Sequence, residues 1–232
     1  MQLRPRFVGR LGLADGVTVA NAVLGFVAVL AVTVDPGLAA RLILLASIAD
    51  GLDGVIARIH GSTPLGEYVD SLADVASFSV APAVFVFWVV KEGWGLSMST
   101  LTPRTALVVT IPALFVAAGV VRLGMYTAYD LEGRTTEGVQ TTLAATILAA
   151  AYLAGVTRPA ILLGMTTVFT YLMVTGFEYP ELSERDALAM GVIQFGAVVA
   201  PAVAWRLFPR ALTVVALLYL MLAPDFYPRT DE

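Results

Sequence analysis

Apolar runs separated by short polar or Gly/Pro-containing breaks fill most of the chain. They predict helices at about 14–33, 36–60, 65–90, 104–127, 138–156, 159–177, 186–207 and 210–223. The first is uncharged from Gly16 to Val34, enough to cross roughly 30 Å of hydrocarbon as a helix. The last apolar run, Ala211 to Ala223, is short and is expected to be tilted, re-entrant or interfacial. The expected fold is therefore all-α: a polytopic membrane bundle of about eight transmembrane helices (six to eight) in one domain spanning 1–232. No linker or low-complexity tract divides it. Further apolar spans follow the first directly, so the N-terminus is expected to be mature rather than a cleaved signal peptide. Ahead of that span, Arg4, Arg6 and Arg10 alternate with Leu3, Phe7, Val8 and Leu11. Two readings fit: a short interfacial helix on anionic headgroups, or a disordered basic leader.

Composition agrees with the pattern, since 58% of residues are hydrophobic and only 14% charged. A net charge of −4, with Lys91 the only lysine among 14 basic residues, argues against nucleic-acid binding. An acidic, lysine-poor chain also suits a salt-loving host. Cysteine is absent, which excludes disulfides and thiolate metal sites. The lone histidine, His60, reads as an ordinary polar loop residue or as a metal ligand. With eight spans, Arg4, Arg6, Arg10, Arg58, Arg134, Arg185 and Arg229 share one side, against Lys91, Arg104, Arg158, Arg206 and Arg210. That bias makes the side with the N-terminus and the turn near residue 61 cytoplasmic.

The stretch DGLDGVIARIHGSTPLGEYVDSLAD, residues 50–74, breaks the apolar pattern. On a helix, Ser47, Asp50, Asp53 with Gly54, and Ala57 share one face, and on the next helix Gly66, Asp70, Asp74, Ser77 and Ala81 do the same. A short turn at His60 to Pro64 makes the two helices antiparallel and brings the stripes side by side. One carboxylate at mid-membrane costs at least about 2.5 kcal/mol, and four together repel one another. Arg58 alone cannot balance them. Divalent metal can, and oxygen-only ligands favour magnesium, manganese or calcium, with a two-ion cluster using all four acids. Two other readings stay open: aspartates that pair with polar groups between helices, and a cation or proton transport site.

The order Asp50, Asp53-Gly54, Ala57-Arg58, Gly66, Asp70, Asp74 resembles the signature of the CDP-alcohol phosphotransferase family. These are membrane enzymes that join a CDP-activated group to an alcohol and release CMP. Seven residues separate Arg58 from Gly66 where eight is more usual, and a one-residue deletion in the turn leaves both helical faces intact. The resemblance implies that Asp50, Asp53, Asp70 and Asp74 bind two divalent ions, Mg2+ or Mn2+, and that Asp74 is also the catalytic base. It implies that Gly54, Ala57 and Gly66 leave room for cytidine and that Arg58 meets the nucleotide. Thr18 and Asn21 match the family's first-helix Thr-x-x-Asn element, which contacts CDP, although the proline that opens the element is missing here.

DSLADVASFSVAPA (Asp70 to Ala83) and VVRLGMYT (120 to 127) are similar to the phosphatidylserine synthase branch, and RTTEGVQTTLAA (134 to 145) to its archaeal members, the archaetidylserine synthases. This likeness covers most of 14–155, the expected catalytic core. It implies transfer from a CDP-activated lipid, CDP-archaeol or CDP-diacylglycerol, to L-serine in the cell membrane, near the cytoplasmic face, by a chain that forms a homodimer. Arg122 would hold the serine carboxylate, or instead snorkel to the interface. Inositol phosphate and glycerol phosphate are the alternative acceptors; both require a denser basic pocket than Arg58, Arg122 and Arg134 provide.

Overall fold

The structure is a computed structural model that describes residues 9–130, 135–180 and 182–226. Its helices are α1 (Leu13–Ala31), α2 (Pro36–His60), α3 (Gly66–Asp74), α4 (Ala81–Gly93), α5 (Pro103–Met125), α6 (Thr141–Ala154), α7 (Pro159–Leu172), α8 (Glu184–Val199) and α9 (Val203–Phe226). A π-helical stretch, Val75–Val80, joins α3 to α4 in one continuous rod, so each predicted helix has a counterpart. Among the described residues, four rods are long and apolar enough to cross a membrane: Leu13–Ala31, Gly66–Gly93, Pro103–Tyr129 and Val203–Pro224. Helices α6 and α7 are apolar but shorter. Helix α2 has the length, but Arg41, Asp50, Asp53 and Arg58 interrupt its apolar surface. The chain is an all-α membrane bundle.

Several boundaries differ from expectation for local reasons. Helix α6 begins at Thr141, not 138, because Gly138 takes φ 75° and packs against the Met173 carbonyl. Helix α7 stops at Leu172, well before 177, so that β2 (Glu178–Pro180) can pair antiparallel with β1 (Thr135–Glu137), with Thr136 opposite Tyr179. Three-residue strands carry no usable alternation, and this ribbon has no counterpart in the sequence reading. Helix α8 ends at Val199, not 207, and the final helical segment starts at Val203, with left-handed backbone at Ala204, Trp205 and Arg206. The proposed interfacial helix falls largely on residues 1–8, outside the described residues, and Gly9 to Gly12 are not helical.

Two features set the geometry around residues 50–74. Helix α2 starts at Pro36 behind an N-cap, Asp35, whose carboxylate accepts from Gly37 N at 2.7 Å. It ends at Gly61, where φ 88° turns the chain back into α3. The π-helical stretch then follows Asp74 directly. Pro82 has no N–H, and its ring would strike the Phe78 carbonyl in an α-helix; the wider π turn just before it relieves both. The widened turn directs Ser77 to α1, where its hydroxyl donates to the Asn21 carbonyl at 2.8 Å. Gly25 makes this close approach possible, since a Cβ there would lie 2.7 Å from Ser77 Cα.

Helix α6 is buried on nearly every side, and Leu143, Ile147 and Leu148 join Ile43, Leu44, Phe78, Phe85 and Phe115 in the core. A helix that is apolar all round belongs inside a bundle. The outer surface is apolar as well: Phe26, Leu30, Val121 and Tyr171 are exposed, as lipid-facing positions are.

Candidate active site

Helix α1 packs against both α2 and α3, and acidic side chains of the two helices converge beside it. One oxygen each from Asp50, Asp70 and Asp74 lies within 4.8 Å of the others, and among the described residues this is the only group of three or more acidic or histidine side chains so arranged. Asp53 is not a member of this trio, and neither is His60, which ends α2 exposed. Asp53 and Asp74 are buried, while Asp50 and Asp70 are partly open. Among the described residues no lysine or arginine stands within 4.0 Å of any of the four; the one ion pair is Lys91 with Glu92 at 2.6 Å.

Helix α1 closes one flank. Thr18 Oγ1 donates to Asp53 Oδ2 at 2.7 Å, and Asn21 Nδ2 donates to Asp74 Oδ1 at 3.4 Å. Thr18 and Asn21 are both buried, and Asn21 Oδ1 has no donor in reach. One turn earlier lies Asp15, which the sequence reading passed over. It is 2% exposed, and its Oδ2 accepts from Gly12 N at 2.7 Å and from the Thr63 hydroxyl at 2.8 Å. A Cβ on Gly66 would sit 3.3 Å from Asp15 Oδ1, so glycine there lets the α2–α3 turn close onto α1. The signal was present: Asp15, Thr18 and Asn21 follow one another at three-residue steps, a polar stripe on an apolar helix.

Helix α6 and β1 form the other flank, which is looser. Thr142 Oγ1 reaches Asp50 Oδ2 at 3.5 Å, and Thr146 Oγ1 reaches Ser47 Oγ at 3.3 Å. Between this flank and the acids lies a cavity of about 180 Å3, lined by Asp50, Asp70, Asp74, Arg122, Gln140 and Thr142 among others. Arg122, on the last turn of α5, is 7% exposed; its Nη2 donates to Thr136 Oγ1 on β1 at 3.0 Å, and its guanidinium lies 5.8 Å from the centre of the Tyr126 ring. Ser71 and Thr127, joined at 2.6 Å, connect α3 to the segment after α5. Thr136, Gln140 and Thr142 lie in the stretch RTTEGVQTTLAA, but the sequence does not single them out as site residues because no spacing rule links them to residues 50–74.

Gly54, Ala57 and Arg58 lie beyond the acids toward the turn. A Cβ on Gly54 would meet only Arg58 Nη1, at 3.9 Å, so the space beside it is open, and Arg58 itself is exposed. The donor set suits a hard divalent cation. It consists of carboxylate oxygens from four aspartates, three mutually close, with no cation from the described residues beside them and an unpartnered buried oxygen on Asn21.

Comparison with known proteins adds to this geometry. The chain is 29% identical over 185 residues to "Archaetidylserine synthase" of Methanothermobacter thermautotrophicus, covering 76% of this chain and 73% of that protein. It is 29% identical over 161 residues to "CDP-diacylglycerol--serine O-phosphatidyltransferase" of Helicobacter pylori, covering 63% of this chain and 62% of that one. The protein of the same name from Mycobacterium tuberculosis is 35% identical over 123 residues, 52% of this chain and 39% of the relative. Residues 11–176, which hold all four aspartates, Arg122 and β1, match the family profile described as CDP-alcohol phosphatidyltransferase, and the chain belongs to that family.

Proposed function

We propose that this protein transfers a lipid phosphoryl group from a CDP-activated lipid to the hydroxyl of L-serine, releasing CMP. The observation that carries the reading is the meeting of the Asp50, Asp70 and Asp74 carboxylates with the buried Arg122 guanidinium around one small cavity. The names of the relatives agree on serine as acceptor, with archaetidylserine or CDP-diacylglycerol naming the lipid side. The lipid is accordingly CDP-archaeol or CDP-diacylglycerol. Among the described residues Arg122 is the one arginine lining the cavity, which suits one carboxylate, whereas inositol phosphate or glycerol phosphate would demand more positive charge.

In this reading Asp50, Asp53, Asp70 and Asp74 hold divalent cations, Mg2+ or Mn2+, most simply two of them. When bound, such ions neutralise the pyrophosphate and stabilise charge on the leaving phosphate. Asp74 lies at the inner end of α3, touches the cavity, and takes the proton from the serine hydroxyl as its oxygen attacks the lipid-bearing phosphorus. The new bond is serine O–P, and the bond broken joins that phosphorus to the oxygen of CMP. Thr18 and Asn21 orient Asp53 and Asp74 through their side-chain hydrogen bonds, and Asp15 keeps the turn at Gly66 in place. The nucleotide lies toward Gly54, Ala57 and Arg58, where the backbone is open. The arginine bias of the loops supports a site at the cytoplasmic face of the cell membrane.

The test is mass spectrometry of the lipid formed from each CDP-lipid with an equimolar mixture of serine, inositol phosphate and glycerol phosphate. A seryl phospholipid is expected, with activity lost in chelator and restored by magnesium or manganese. Product from a phosphorylated acceptor alone would overturn the assignment. CDP-lipid chiral at the reacting phosphorus should give inversion; net retention would replace direct attack with a covalent lipid-phosphoryl enzyme.

A further inference from the structure

The cavity beside the aspartates has a polar residue to which neither the aspartate motif nor the arginine assigns a task. Gln140 stands at the N-cap of α6, partly buried, and lines the cavity together with Asp74 and Arg122. Its side chain makes no capping bond to α6, and among the described residues its amide has no hydrogen-bond partner. The helix start is held without it, since the Gln140 backbone carbonyl accepts from Ala144 N at 3.0 Å. The amide is therefore available to a molecule that enters the cavity.

The chemistry of the cavity narrows that ligand. At about 180 Å3 it is smaller than the roughly 300–1,000 Å3 of pockets for drug-sized ligands, so it suits a compact acceptor and not a nucleoside diphosphate. Its walls place an acid, Asp74, and a donor-only cation, Arg122, on α3 and α5, with the Gln140 amide and the Thr142 hydroxyl on the α6 side. A 2-amino-3-hydroxy acid offers three polar groups around one carbon: a hydroxyl, a carboxylate and an ammonium. The hydroxyl goes to Asp74 and the carboxylate to Arg122, which leaves the ammonium, a donor that needs an acceptor. Arg122 has no acceptor atom, Asp50 and Asp70 are assigned to divalent metal in the proposed function, and Thr142 already reaches Asp50; the amide oxygen of Gln140 is an acceptor with no other partner among the described residues.

We infer that Gln140 is a specificity-determining residue whose Oε1 accepts from the ammonium group of the acceptor, so that the enzyme selects an amino-bearing alcohol over its amino-free counterpart. The inference rests on the proposed serine transfer and adds the residue that reads the amino group. Hydrogen bonds to a charged group are strong enough that losing one changes affinity about tenfold to 100-fold.

The experiment compares serine with glycerate, which has the hydroxyl and carboxylate but no ammonium, in the full-length protein purified in detergent. Gln140→Leu keeps the size and loses the acceptor; Gln140→Glu keeps an acceptor at the same place. For Gln140→Leu the KM for serine should rise about tenfold or more, with a smaller change in kcat, and the preference for serine over glycerate should fall by a similar factor. Gln140→Glu should retain that preference, which a merely structural role for Gln140 would not explain. If wild-type protein and Gln140→Leu share the same serine KM and the same serine-over-glycerate preference within twofold, Gln140 does not read the amino group and the inference fails alone. If the wild-type protein makes no product from serine, the proposed function fails and the inference with it.

Discussion

The two flanks of the acidic cluster are built differently. On the α1 side, Thr18 holds Asp53 at 2.7 Å and Asn21 reaches Asp74, all four residues buried, and Gly25 lets α1 lie flush against the π-helical stretch. On the α6 side the polar contacts are 3.5 Å and 3.3 Å, Thr142 is only partly buried, and a cavity opens. A closed flank fixes the acids; an open flank leaves room for something to react with them. Precise catalytic geometry needs both, because a group held on all sides cannot meet a substrate and a group held on none cannot be aimed.

Substitutions can break this contrast, and the largest effect belongs to the residue that touches both flanks. Asp74→Asn keeps the shape but cannot take a proton, and turnover should fall by about 10²- to 10⁴-fold in a CMP-release assay. Metal affinity is to be measured alongside, because loss of a carboxylate ligand would lower the rate by a different route. Next, Arg122→Ala on the open side should raise the serine KM by roughly 10- to 100-fold while CDP-lipid affinity changes little. An equal loss for both substrates would show that Arg122 supports the fold of β1 and not the acceptor.

The closed flank should answer in stability. Gly25→Ala forces a methyl group against the Ser77 backbone and should cost about 1–3 kcal/mol, seen as a lower unfolding midpoint of the detergent-solubilised protein. Thr18→Val removes a short hydrogen bond to a buried carboxylate and should cost about 1.5–3 kcal/mol in the presence of divalent metal. The counterpart across the cluster, Thr142→Val, breaks only the long contact to Asp50 and should shift stability by less than about 0.5 kcal/mol. If Thr142→Val destabilises as much as Thr18→Val, the two flanks are equivalent and the contrast drawn above is wrong.

The sequence by itself determined the class of fold, because apolar runs of membrane-spanning length have few alternatives to helices in lipid. It also determined which residues of α2 and α3 share a face. Asp50, Asp53, Asp70 and Asp74 lie three or four residues apart within their helices, where local geometry alone aligns side chains. A short turn then brought the two stripes together, and Asp50, Asp70 and Asp74 do meet. Tertiary structure decided everything that depends on separation along the chain. Thr18 and Asp53 are 35 residues apart and Thr142 and Asp50 are 92 apart, and no periodicity relates such positions. The β1–β2 ribbon that seats Thr136 against Arg122 is too short to leave a pattern. The π-helical stretch after Asp74, which directs Ser77 to α1, arises where Pro82 meets close helix packing. Local spacing is written in the order of residues, whereas which flank closes and which stays open is set by how distant helices pack.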